Sequence, residues 1–304
     1  MGIWPSPTAL LDELPLVFVD VETTGLDPAT GDRVCEIALL RVQGTQELAR
    51  FTSLIHPQRS MHPGAMAVHG ISDAMLADAP PFPALLPQIW SLLQQAVLVA
   101  HNARFDLGFL RHEWQLAGQE LPALAVVDTL ALAQARYRFR HNSLGAIARE
   151  LGLQPAGLHR AMADVDTTWQ IWQRFIADLQ LEGAVTLAHV MYPNPRRPVA
   201  EMAAMITALQ EAIPTRQPLR MRYQPDRAPE TIRVVQPLEM YYDRGHGYLR
   251  AFCHLRQEER HFRFDRIAEL SALPEGVGSD ALTVQAVPPP TQPAECAAPS
   301  PYYR

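Results

Sequence analysis

Five side chains in this sequence have the types and spacing to do chemistry together: Asp20, Glu22, Asp106, His159 and Asp164. Asp20 and Glu22 close the run Leu16-Val17-Phe18-Val19-Asp20-Val21-Glu22, which leads into Thr23-Thr24-Gly25-Leu26. A short apolar run bounded by turn residues predicts a buried strand, and on a strand residues i and i+2 share a face. Both carboxylates therefore leave the strand end on one side, where like charges repel unless something positive lies between them. A hard divalent cation takes carboxylate oxygens; a solvated acidic turn explains the pair equally well when it is taken alone. Asp106 follows the apolar run Ala96–Ala100 at the opening of a helix, and the carboxyl ends of strands are where α/β sheets bind ligands. An N-capping or buried Asp is the plain alternative. His159 stands five residues before Asp164, at the start of a Trp-bearing helix where an acid also suits the macrodipole.

The elements that must position these groups are legible in outline. After the first strand, Arg33–Val42 and Glu47–Ile55 predict two more, joined by short turns and so antiparallel. Pro80–Gln95, Phe105–Leu116, Asn142–Leu151 and Ala163–Leu179 carry helical spacing, with Ala96–Ala100 and Val126–Asp128 as strands between them. The stripe Trp169, Trp172, Phe175, Ile176 and Leu179 reads as core. Three strands followed by alternating helices and strands predict an α/β domain with a mixed sheet. Residues 1–14 read as a loose lead-in, 15–180 as this domain, and 181–203 as a linker marked by three prolines between Pro193 and Pro198. Residues 204–273 then hold a helix (Glu201–Ala212 at its start) and short strands at Leu219–Tyr223, Ile232–Val235, Leu238–Tyr242, Tyr248–His254 and Arg260–Arg263. Residues 274–304 are rich in Pro, Ala and Ser, a composition that predicts disorder.

Composition excludes several classes. No apolar run is long enough to cross a bilayer, and the first residues lack the layout of a signal peptide. Three scattered cysteines (Cys35, Cys253, Cys296) make neither a disulfide framework nor a thiolate zinc site, which places the chain in a reducing cytoplasm. The net charge of −6 argues against coating nucleic acid by bulk electrostatics. Residues 1–190 hold 12 arginines against 19 acids, whereas residues 191–304 hold 14 against 13, so the second half is close to neutral. There is no lysine, and every cation other than histidine and the amino terminus is a guanidinium able to grip phosphate bidentately.

Taken in order, Asp20-Val21-Glu22-Thr23-Thr24-Gly25-Leu26, Val68-His69-Gly70-Ile71-Ser72, His101-Asn102-Ala103-Arg104-Phe105-Asp106 and His159-Arg160-Ala161-Met162-Ala163-Asp164 resemble the motifs of the DnaQ-like (DEDDh) 3′–5′ exonucleases. That group includes polymerase proofreading subunits and RNase T. The resemblance spans residues 15–180 and implies an RNase H-like fold with a mixed five-stranded sheet and flanking helices. It implies that Asp20, Glu22, Asp106 and Asp164 hold two Mg²⁺ or Mn²⁺ ions, that His159 is the general base, and that Thr23, Leu26, His69 and Asn102 hold the terminal nucleotide. Two ions about 3.5–4 Å apart stabilise both the attacking and the leaving oxygen of a phosphodiester. The expected substrate is single-stranded or frayed DNA, cut from its 3′ end to nucleoside 5′-monophosphates. An RNase T-like exoribonuclease and a nucleic-acid or nucleotide sensor are the competing readings. Asp128 is expected to be structural; Arg136, Arg138, Arg140 and His141 form an exposed basic face able to steer phosphate.

The segments Gly247-Tyr248-Leu249-Arg250-Ala251-Phe252-Cys253-His254-Leu255 and Arg260-His261-Phe262-Arg263-Phe264-Asp265-Arg266-Ile267 resemble the WYL domain, a small Sm/SH3-like β-barrel. Gly247 stands where that family has its namesake tryptophan. The family's association with nucleic-acid or nucleotide ligands makes Tyr248, Arg250, Arg260, Phe262, Arg263 and Arg266 accessory binding candidates, by phosphate pairing and stacking. The alternative is that these aromatics pack the domain and the arginines pair with Glu258, Glu259 and Asp265. Oligomeric state is left open.

Overall fold

The computed structural model describes residues 5–154, 157, 159–193, 198–225, 229–243 and 246–273. The chain opens with β1 (Pro15–Thr23), β2 (Val34–Gln43) and β3 (Gln46–Leu54), then two short helices, α1 (Pro63–His69) and α2 (Asp73–Leu76). There follow α3 (Phe82–Leu93), β4 (Val97–Ala100), α4 (Ala103–Leu116), β5 (Val126–Asp128), α5 (Thr129–Arg136), α6 (Leu144–Glu150) and α7 (Ala161–Gln180). The sheet order is β3-β2-β1-β4-β5, with β1 antiparallel to β2 and parallel to β4. The mixed five-stranded sheet expected from the sequence is present, and it puts the acid-bearing strand in its centre.

β1 is apolar on both faces because helices cover both. Leu16 and Phe18 face α7, where Phe18 meets Trp172 edge-on at 6.0 Å. Val17, Val19 and Val21 face the cluster built by α3 and α4. A strand buried on both sides reads as a continuous hydrophobic run. That run stops at Asp20, where the sheet edge opens.

Described residues of the lead-in and of the linker pack against each other, where the lead-in was expected to be loose. Leu11 is 3% exposed and donates its N–H to Val185 O, while Leu187 and Ala188 donate to Ala9 O and Pro7 O. Residues 187–191 form α8 (Leu187–Met191), which buries Leu187, Ala188 and Val190. Two short segments far apart in sequence thus satisfy each other's backbone groups, a pairing that local composition does not encode.

The C-terminal domain begins at α9 (Val199–Thr215), followed by β6 (Leu219–Tyr223), β7 (Thr231–Asp243), β8 (His246–Cys253), β9 (Glu258–Arg263) and β10 (Ile267–Ala272). These strands form one antiparallel sheet in the order β10-β6-β7-β8-β9. The two strands expected at Ile232–Val235 and Leu238–Tyr242 are one, β7, with a register shift between Pro237 and Glu239. Pro237 offers no N–H to the ladder, and a bulge is where a sheet tolerates that. Gly247 is a packing necessity: a Cβ there would lie 2.5 Å from the Phe264 ring and 3.2 Å from Tyr192. Tyr192, just past α8, packs against the cores of both domains. The space a tryptophan would need is therefore taken by these two rings. The tail at 274–304 lies outside the described residues.

Candidate active site

Asp20 and Glu22 project from the end of β1 on one face, as their spacing requires, opposite Ala38 and Glu36 of β2. α7 brings Asp164 to them in its first turn. One carboxylate oxygen from each of Asp20, Glu22 and Asp164 lies within 4.8 Å of the others. Asp106 sits in the first turn of α4, 3% exposed, and its Oδ1 accepts the Val21 N–H at 3.1 Å. β4 pairs with β1 only over Leu16–Phe18, so Val21 N–H has no strand partner and the Asp106 carboxylate replaces it.

The carboxylates repel one another and are buried, which favours their protonated forms. Burial, then Asp106, Asp164, Glu22 and Glu36, raise the Asp20 carboxyl well above the usual range. Glu22 is pushed up to about 8 by burial and by Asp164 and Glu36, with Arg160 opposing. Burial also raises Asp106 and Asp164. Asp164 Oδ1 is buried with no hydrogen-bond partner. Converging carboxylates with an unsatisfied oxygen fit divalent cations, which take oxygen ligands and reverse this repulsion.

His159 is exposed and its imidazole projects from a corner with φ +68°; its N–H donates to Asp164 Oδ2 at 3.1 Å. Asn102 is also left-handed (φ +67°), and its N–H donates to Asp128 Oδ1 at 3.0 Å. Asp128 also accepts Leu130 N–H at 2.9 Å, so it holds the strand-to-helix turn. The His101 ring ties that turn to the loop after α5, through Thr129 Oγ1 at 3.0 Å and the Asn142 carbonyl at 2.9 Å.

The Thr23–Gly25 turn is built against Asp32. Thr24 Oγ1 donates to Asp32 Oδ1 at 3.1 Å, and a Cβ on Gly25 would lie 2.3 Å from Asp32 Oδ2. Thr23 Oγ1 donates to Gly25 O at 2.6 Å. Leu26, 86% exposed, stands at the rim. His69 is 6% exposed; its Nδ1 accepts Ile71 N–H at 3.0 Å, so Nε2 carries the proton and donates to Thr23 O at 3.2 Å. Both ring nitrogens are committed to backbone, so His69 holds the turn and offers no free ring nitrogen to a nucleotide.

Two groups of the site escaped sequence reasoning. Glu36, 4% exposed, accepts Arg160 Nη2 at 2.7 Å, Arg160 Nε at 3.1 Å and Ala161 N–H at 3.0 Å. Glu113 takes Arg33 Nε and Nη2 at 2.8 and 2.7 Å, plus Val34 N–H at 3.1 Å, joining α4 to β2. For Glu36 the available signal was an isolated acid inside an apolar run, which must find a partner if buried; Glu113, between His112 and Trp114, carries no such signal.

Residues 17–172 match the exonuclease family (RNase_T: Exonuclease), and residues 204–272 match the WYL domain. The chain belongs to the exonuclease family. Its exonuclease domain is 35% identical over 165 residues to the 3′-5′ exonuclease DinG of Bacillus subtilis, covering 54% of this chain and 18% of that protein. It is 31% identical over 205 residues to DNA polymerase III subunit epsilon of Treponema pallidum, covering 66% of this chain and 94% of that protein. Several relatives are far longer: this chain spans 14% of the PolC-type DNA polymerase III of Thermotoga maritima. Among solved structures, E. coli Exonuclease I in complex with a dT13 oligonucleotide superposes with a TM-score of 0.53 at 16% identity, over 86% of this chain and 66% of that one. The nuclease domain of 3′hExo bound to rAMP gives 0.50 at 17% identity, over 56% and 95%. These identities show the fold alone; the Exonuclease I superposition extends beyond the exonuclease domain into the C-terminal one.

In the WYL domain most of the candidate residues are already engaged. Phe262, expected as a stacking platform, is 2% exposed in the core, edge-on to Tyr223 and under the Arg233 guanidinium, so it shows no face to a base. Arg250 pairs with Glu239 and Glu259, both at 3.1 Å, Arg260 with Glu258 at 3.0 Å, and Arg263 Nε with Asp265 at 3.0 Å. Glu258, Glu259 and Asp265 are the partners weighed as the alternative, Glu239 is a further one, and all of them compete with phosphate for these guanidinium groups. Arg266 is half-buried at the entry to β10. Tyr248 stacks on Tyr241 with centroids 5.3 Å apart and planes at 14°. In the exonuclease domain, Arg136 pairs with Glu182 at 2.7 Å, while Arg138, Arg140 and His141 are exposed. Among the described residues no helix is long and apolar enough to cross a membrane.

Proposed function

We propose that this chain is a divalent-metal-dependent 3′–5′ exonuclease that removes nucleoside 5′-monophosphates from single-stranded or frayed DNA ends. The observation that carries the reading is the convergence of Asp20, Glu22 and Asp164 within 4.8 Å, with Asp106 braced against the same strand. These four acids would hold a pair of Mg²⁺ or Mn²⁺ ions, which when bound supply a water of lowered pKa and offset charge on the phosphate. His159 takes the proton from that water, its imidazole free because its corner is anchored through the backbone. Thr23, Leu26 and Asn102 form the pocket for the 3′ nucleotide, with His69 supporting Thr23 from behind. Exposed Leu26 gives an apolar face for an unstacked terminal base, which a frayed strand supplies at lower cost than a duplex. The DNA preference is supported by the relatives, which include DNA polymerase III proteins. In the WYL domain, the five-stranded sheet rolls into a small barrel, and the half-buried Tyr248, stacked on Tyr241, is its candidate contact for an accessory strand.

Matched 5′-labelled DNA and RNA strands, incubated with Mg²⁺ or Mn²⁺, test this directly. The expected result is a ladder shortening from the 3′ end, faster on DNA, and abolished by Asp20→Ala or Asp164→Ala in folded protein. Undiminished hydrolysis by either variant contradicts the site. A faster RNA ladder moves the substrate to RNA, and no product with either metal favours a binding protein.

A further inference from the structure

We propose that Glu36 and Arg160 are a positioning pair for the general base: by gripping Arg160 and the first N–H of α7, the Glu36 carboxylate fixes the corner from which His159 projects. The inference rests on reading His159 as the base.

Glu36 is the third residue of β2, whose alternate positions Val34, Ala38, Leu40 and Val42 are apolar, and it is 4% exposed. Taking a carboxylate out of water costs several kcal/mol unless it is paired and hydrogen-bonded. Its location adds to that cost, because Glu36 is the cross-strand partner of Glu22 and also repels Asp20 and Asp164. A fifth acid there weakens the fold unless it does something the others do not. What it does is reach α7. Both oxygens take the Arg160 fork, and Oε2 also takes Ala161 N–H. Arg160 occupies the N-cap position of α7 and makes no cap bond with its own side chain, so the helix start is capped from β2 instead.

The residue so placed is under strain. A non-glycine at φ +68° sits in a sparsely populated region and persists there only when its surroundings over-determine it. Here the surroundings are two carboxylates. His159 N–H goes to Asp164, and the next two residues go to Glu36, which makes four hydrogen bonds from three consecutive residues. The imidazole is exposed, so the backbone corner alone aims it. Loss of the Arg160 fork leaves the corner held at Asp164 and at one helix N–H. The strain then relaxes by turning the imidazole away.

A plain ion pair that docks α7 predicts a different outcome, and a double-mutant cycle separates the two. Steady-state hydrolysis of a 5′-labelled single DNA strand is measured for wild type, Arg160→Ala, Arg160→Lys, Glu36→Gln, His159→Ala and the His159→Ala/Arg160→Ala double variant. Thermal melts verify folding. Arg160→Ala should lower kcat by about 10–100-fold, the scale of an ångström's misplacement of a reacting group. KM should stay within about two-fold, since no group placed against the substrate has moved, and the Mg²⁺ half-saturation should not rise, since losing the guanidinium near Glu22 leaves the site more negative. Arg160→Lys should recover little, because an ammonium cannot fork. In the His159→Ala background, removing Arg160 should cost nothing further. Additive losses, or a loss carried by KM or metal affinity, overturn the pair's role. If Arg160→Ala does not fold, Glu36→Gln gives the same comparison, since it keeps side-chain volume and an acceptor for Ala161 N–H. A full-rate His159→Ala enzyme overturns both the base assignment and the pair; a slow one with additive loss overturns the pair alone.

Discussion

Glu22→Gln should make the metal-free protein more stable at pH 8 while destroying its activity. Glu22's carboxyl is pushed from 4.5 to about 8 by burial and by Asp164 and Glu36. Between those two pH values the folded chain keeps a proton on Glu22 that the unfolded chain has lost. The native state then binds more protons than the unfolded one, so stability falls as pH rises through this window. Carried at its full size, the effect at pH 8 is at most ~5 kcal/mol, at ~1.4 kcal/mol per pH unit. Glu22 keeps one side in water, which screens it, so about a third of that, ~1–2 kcal/mol, is the expected gain from the neutral amide. For a domain of this size that is ~3–6 °C in melting temperature. Asp20 and Asp164 are raised in the same direction and steepen the wild-type trend. The assay is differential scanning calorimetry of both proteins in EDTA at pH 8 and pH 4.5, then at pH 8 with Mg²⁺. The variant should melt higher at pH 8 without metal, the gap should close at pH 4.5, and Mg²⁺ should stabilise wild type more than the variant. A variant that melts lower than wild type in EDTA at pH 8, or a wild type indifferent to Mg²⁺, refutes the reasoning.

Asp128→Ala, by stranding the Asn102 and Leu130 N–H groups, should reduce kcat/KM about 10–100-fold, the worth of a hydrogen bond to a charged group at ~1.5–3 kcal/mol. The loss should fall mainly on KM, and Asp128→Asn, which retains an acceptor oxygen, should restore most of it. Gly247→Ala forces a methyl into the Phe264 ring and should cost ~1–3 kcal/mol by overpacking; an unchanged melting temperature would show that Phe264 and Tyr192 yield freely.

The acids of β1 were legible because a strand's two-residue period is a local property, and their shared face follows from it. The second and third motifs were legible as segments, and so was the mixed sheet that unites them. Within the WYL domain β6, β8 and β9 were readable, β7 was read as two strands and β10 was missed, and the faces of the strands were not readable. Phe262 and Arg263 are neighbours on one strand, and only the packing of Tyr223 and Arg233 tells which of them points inward.

The sequence by itself determined which residues carry the chemistry and in what order the chain presents them, because motif spacing and periodicity are written within each segment. Only the tertiary structure decided how those segments are held. Glu36 meets Arg160 across 124 residues, Glu113 meets Arg33 across 80, and the start of the chain pairs with the residues before α8. No local pattern announces such partners: a buried charge or backbone group takes whatever complementary group the fold brings within reach, and that is fixed only once the chain has closed on itself.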